Sequence, residues 1–224
     1  MGIQVQGNGG VIADVDGTMF RALRVTSRPI DYGSLGFYRL SMVTGTIAAA
    51  LAANSELFQF RWGDATRFGV IYRIALSAGA NVAATAAALL SLRATIARAW
   101  TVNGTGGTAA TLTGNNQKLR TSMGTTLVTE IRCATTAALG AGTKTLDAQD
   151  IGGVSYGVGT GAITTSINLT LVPDVNIFDS NGPSDHPPVL AQNEGFVIRS
   201  GIIGPAAMTW AATFNTSWAE VTAY

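Results

Sequence analysis

The chain has 224 residues with a formal net charge of +1, and only 12% of them are charged, about half the usual ~25%. That balance leaves no basic footprint for nucleic acid and no acidic tail. One cysteine, Cys133, excludes an intrachain disulfide and a cysteine-rich metal site; one histidine, His186, excludes a histidine pair. The polar share falls to Thr, Ser, Gly and Asn, which suit strand faces and turns rather than solvated helices. So neutral a surface points to a chain covered by copies of itself or by partners.

The first ten residues, MGIQVQGNGG, lack the basic start and apolar core of a signal peptide. The apolar runs Ile47–Ala53 and Ala83–Leu92 are too short or too broken for a membrane span. Residues 1–34 read as an extended N-terminal arm, with Pro29 blocking a helix. Residues 35–224 read as one β-sandwich domain.

Period-2 patterns then run in chain order. In Phe37–Val43, Tyr38, Leu40 and Met42 alternate with Arg39 and Ser41. In Leu57–Trp62, Phe58, Phe60 and Trp62 oppose Gln59 and Arg61. In Phe68–Leu76, Phe68, Val70, Tyr72, Ile74 and Leu76 share one face, with Arg73 on the other. Leu90–Val102 is a strand with Arg98 on its apolar face, and a short helix is allowed over Ala83–Leu90 on propensity. Residues 103–116 are a Gly/Asn/Thr loop. Thr126–Cys133 alternates again, Gly140–Thr143 is a turn, and Ser155–Leu171 contains a strand led by Ile163–Leu171. Residues 179–188 form a surface loop. Three short strands close the chain: Gly195–Ser200, Met208–Phe214 and Trp218–Tyr224. Ten to twelve strands divided by Gly, Asn and Pro are the pattern of an all-β, antiparallel, jelly-roll-like sandwich.

One motif carries chemistry. Asp14-Val15-Asp16-Gly17-Thr18 after Val11-Ile12-Ala13 resembles the first motif of haloacid dehalogenase-like phosphatases. That resemblance implies a nucleophilic Asp14, an acid/base Asp16 and Mg²⁺ between carboxylates. Ser41 or Thr44, Lys118 or Lys144, and Asp174 and Asp179 would have to supply the later motifs, but none sits in a strand-then-helix setting. An Asp-Gly turn is the competing explanation of the motif. The clusters Gly157/Gly159/Gly161 and Gly104/Gly106/Gly107 match no phosphate-binding loop. His186, beside Pro187 and Pro188, reads as a loop residue, and Cys133 as a buried small hydrophobe. Trp62, Trp100, Trp210 and Trp218 fill a core or a subunit interface, or else form a sugar-stacking face as in a carbohydrate-binding module.

Phe58-Gln59-Phe60-Arg61-Trp62, Lys118–Met123, Pro188–Leu190 with Asn193–Arg199, and the closing Trp218-Ala219-Glu220-Val221 together resemble the virion structural proteins of tailed bacteriophages. The resemblance implies a many-copy shell, decoration or minor capsid protein, located in the virion after assembly in the host cytoplasm. It implies no catalytic residue, cofactor or metal. Its partners would be copies of itself, with a trimer the favoured oligomer, and the major capsid protein or other virion proteins, with no nucleic acid or membrane. A tail or head-fibre component belongs to the same class.

Overall fold

The computed structural model describes residues 35–160, 172–180 and 186–222. The expected arm, with Asp14 and Asp16, lies outside them, as do the Ile163–Leu171 alternation and part of the 179–188 loop. Among the described residues there is no helix; eleven strands form two antiparallel sheets packed as a β-sandwich.

The first sheet holds β1 (Gly36–Val43), β3 (Phe68–Val82), β8 (Val172–Asp179), β9 (Val189–Leu190) and β11 (Thr209–Val221), in the order β1-β11-β3-β8, with β9 also on β3. The second holds β2 (Glu56–Trp62), β4 (Ala88–Val102), β5 (Thr108–Ala109), β6 (Val128–Cys133), β7 (Thr143–Val158) and β10 (Glu194–Ser200), in the order β5-β6-β2-β10-β4-β7. With the short or inserted β5, β6 and β9 set aside, β1-β11-β3-β8 faces β2-β10-β4-β7, the jelly-roll order, and the chain changes sheet at every connection except β4 to β7. Residues 103–142 are then an insertion between β4 and β7 that lengthens the second sheet past β2. On the opposite side, β7 and β8 bring the two sheets together. There Gly152 leaves room for β8, since a Cβ on it would lie 2.0 Å from the Ile177 carbonyl oxygen.

The core is aromatic. Phe60 stacks on Phe196 at 5.1 Å and meets Trp218 edge-on at 5.2 Å, Trp218 stacks on Tyr38 at 5.6 Å, and Phe58 touches Phe214 at 5.4 Å. Such pairs contribute about 0.5–1.5 kcal/mol each beyond the area they bury. Glu220, 1% exposed, ties the insertion to the first sheet: its carboxylate accepts from Thr126 Oγ1 at 2.5 Å, the Leu127 amide at 2.9 Å and Trp218 Nε1 at 3.2 Å.

Four expectations need correction, and irregular backbone explains two of them. In β3 the register slips by one between Ile71 and Arg73 opposite Trp218 and Ser217, so Tyr72 is an extra residue in a bulge. Phe68, Val70 and Tyr72 therefore pack on the outer face, while Ile71, Ile74 and Leu76 enter the core. In β4, Ala99 adopts φ 49°, which breaks the alternation. Arg98 points outward to Asp147 and Glu194, and Trp100 joins Ala97 and Val197 on the outer face of the second sheet. The helix allowed over 83–90 is absent: those residues leave β3, turn and enter β4, because packing outweighs the propensity of alanine. The two last strands are one, β11, since Asn215 and Ser217 fall on its outer side and do not interrupt it. Strand β7 begins at the expected turn and runs 16 residues, through Gly152, Gly153 and Gly157 that hide it in the sequence.

Candidate interaction surface

Each strand runs between two ends of the sandwich, and the ends differ in charge. Between Arg39 and Glu56, Arg73 and Arg93, Arg132 and Lys144, Asp150 and Asp174, and Arg199 and Glu220 there is no Asp, Glu, Lys or Arg. The fold brings a described part of each of these stretches to one end, although the Gly140–Thr143 turn lies at the other, beside Val102 and Thr105. Ile47 bridges Trp210, the Ala48 amide donates to the Thr136 carbonyl, the Ala50 amide to Pro205, the Gly204 amide to Leu51, and Asn81 Nδ2 to Thr46 Oγ1. Val82 pairs with Thr209, and Ala84 bridges Thr160.

This end also carries most of the exposed large aliphatic side chains among the described residues. Val43 is 64% exposed, Val82 51%, Leu89 53% and Ile203 67%, with Ile202 beside them. Polar groups here are hydroxyls, amides and backbone. A surface of this kind loses little by desolvation and gains from apolar contact.

At the other end and along the second sheet's outer face, several charges are paired. Arg98 bonds Asp147 and Glu194 at 2.9 and 2.6 Å. Asp150 accepts from Thr95 Oγ1 at 2.5 Å, Arg199 at 3.0 Å and Arg93 at 3.2 Å; burial pushes its carboxyl up, but these donors hold it below the usual range. Lys144 is buried against Glu56 at 2.8 Å, with its ammonium 4.4 Å above the Trp100 ring. Burial lowers the Lys144 pKa, against the pull of Glu56. Burial also dominates at Glu220, whose carboxyl sits above the usual range, and at Tyr38, pushed up to about 12 with Glu220 adding to the effect.

The residues singled out as chemical candidates are dispersed. Lys144 is committed to Glu56 and Trp100, Asp174 to Arg73 and Asn215, and Thr44 Oγ1 to the Ala212 amide. Ser41 is exposed on β1, and Lys118 lies outside the strands. The described body is antiparallel, not the parallel α/β sheet that the phosphatase motif is built on. Cys133 is buried, its thiol pushed up to about 12 by desolvation, which leaves it inert. His186 is exposed. Trp62, Trp100, Trp210 and Trp218 are all at most 1% exposed, so they form no sugar-stacking face, and the carbohydrate-binding reading drawn from them fails. Among the described residues no three His, Cys, Asp or Glu side chains are grouped to hold a metal.

The charge-free end was within reach of the sequence, since the uncharged stretches are visible there. Their convergence is set by strand order and was not. Comparison with protein-family models, with curated proteins and with solved structures returns no match.

Proposed function

We propose that the protein is a structural component of a bacteriophage particle, a decoration, cement or minor capsid protein that stabilises a shell through subunit contacts. The observation that carries this reading is the charge-free end, where turns distant in sequence come together without one Asp, Glu, Lys or Arg among the described residues. A lone soluble domain keeps charge on every side for solubility. A face that spends its life against another subunit has no such need, and its exposed Val43, Val82, Leu89 and Ile203 become the anchors of the contact. The jelly-roll order adds support by analogy, since viral capsid domains use it, as do lectins and cupins.

In this reading the partners are copies of the chain and the neighbouring virion proteins, and the location is the assembled virion. Native mass spectrometry of the purified protein, followed by electron microscopy with phage capsids, tests it. Oligomers in solution, or added density at ordered positions on capsids, are expected, with both lost in Ile203→Asp and Leu89→Asp. A monomer at all working concentrations that leaves capsids bare sinks the proposal. Density on a tail or head fibre keeps the structural class and moves the position.

A further inference from the structure

A small polar cluster on the outer face of the second sheet is closed off from water. Lys144 stands at the start of β7, while Glu56 and Gln59 stand on β2, with β10 and β4 between the two strands. The Lys144 side chain is 2% exposed and that of Glu56 7%, and Gln59 is as deeply buried. The Trp100 ring, packed with Ala97, Val197 and Leu146, forms the apolar floor, 4.4 Å from the Lys144 nitrogen. Backbone closes over the cluster. Lys144 Nζ donates to the Ala141 carbonyl, and Gln59 Nε2 donates to the Gly140 carbonyl at 3.0 Å. Gly104 lies so near the Gln59 amide that any side chain there would strike Oε1.

One atom organises these groups. Glu56 Oε2 accepts from Lys144 Nζ at 2.8 Å and from Gln59 Nε2 at 2.6 Å. A single carboxylate oxygen therefore touches both an amine and the nitrogen of a primary amide. Gln59 Oε1 accepts from no described residue, so no donor holds the carbonyl away from Nζ. Burial lowers the Lys144 pKa, which favours the free amine, the form that attacks carbonyl carbon.

We propose that the folded chain forms an isopeptide bond between Lys144 Nζ and Gln59 Cδ, with Glu56 as the proton carrier. Glu56 takes a proton from the ammonium, and Nζ adds to Cδ. Glu56 then returns the proton to Nε2 as the Cδ–Nε2 bond breaks. The freed ammonia takes the second proton from Nζ and departs as ammonium, so nothing is oxidised or reduced. Gln59 is the electrophile rather than Glu56. Expelling water from Glu56 would need another acid to carry the proton, and among the described residues none is bonded to the cluster. The bond would join β2 to β7 and close the chain into a loop around the insertion, a constraint of the kind that a disulfide imposes.

Mass spectrometry of the purified full chain under denaturing conditions tests this. The wild type should be lighter than its sequence mass by one ammonia. Tandem spectra of a digest should show the β2 and β7 segments joined through Gln59 and Lys144, and trypsin should no longer cut after Lys144. Glu56→Ala and Lys144→Arg should each keep the full sequence mass. A wild type that retains the full mass after prolonged incubation in the folded state overturns the proposal. So does a link that forms in Glu56→Ala, or a loss of water with the bond on Glu56. A loss of ammonia that joins no two segments, as a succinimide at Asn103-Gly104 would give, overturns it as well. The wild-type measurement decides whether or not either variant folds, and it is independent of the assembly role proposed above.

Discussion

The two ends of this sandwich solve the same packing problem with different surfaces. At the charged end, acids are tied down: the buried Glu220 holds the insertion through Thr126, Leu127 and Trp218, while the exposed Arg98 gathers Asp147 and Glu194. At the other end, turns are stitched by backbone hydrogen bonds, and aliphatic side chains stand in the open. The first arrangement serves the fold of one chain, because these acids already have their partners within it. The second leaves apolar area unused within the chain. The difference shows that low overall charge need not be spread evenly: strand order concentrates it.

The largest expected effect sharpens the view of the charged end. Trp218→Ala removes a fully buried ring stacked on Tyr38 and edge-on to Phe60, and should cost about 3–5 kcal/mol. Urea unfolding measures it, and a loss near zero would show that the core is not organised around this residue. Next, Glu56→Ala strands the buried Lys144 ammonium, at a cost of about 3 kcal/mol or more. A smaller loss, by the same measurement, would mean that Trp100 and the backbone hold the lysine without Glu56.

Glu220 supplies a pH-dependent contrast. Its carboxyl is raised in the folded protein above the ordinary 4.5, so the folded state keeps the proton to higher pH than the unfolded chain does. This group's contribution is most favourable below that ordinary value and declines as pH rises through the folded pKa. Comparing urea midpoints of the wild type and Glu220→Gln from acid to neutral pH isolates the decline, which the variant should lack. A constant difference between the two at every pH would rule it out. The smallest effect on folding belongs to the charge-free end. Ile203→Asp and Leu89→Asp should change stability by no more than about 0.5 kcal/mol while abolishing association by native mass. If they instead unfold the chain, that end is core and not interface.

Much of the architecture was legible because its strands obey simple alternation. Phe58, Phe60 and Trp62 on β2 and Phe196 and Ile198 on β10 face the core as their parity requires. Local irregularity escaped that reading. One extra residue at Tyr72 and a left-handed Ala99 reverse the faces of the residues beyond them, and neither has a sequence signature as strong as an Asn-Gly turn. The cluster of Arg73, Asp174 and Asn215 was invisible for a related reason, since its members come from three strands.

Sequence alone determined the all-β class, the absence of an intrachain disulfide, the burial of Cys133 and the scarcity of charge, because these depend on composition and on a period of two. Tertiary structure decided which uncharged stretches meet, where Arg98 and Trp100 point, and which aromatic residues remain near solvent. Those outcomes depend on strand order and bulges, which join residues far apart in the chain, and no local pattern encodes that joining.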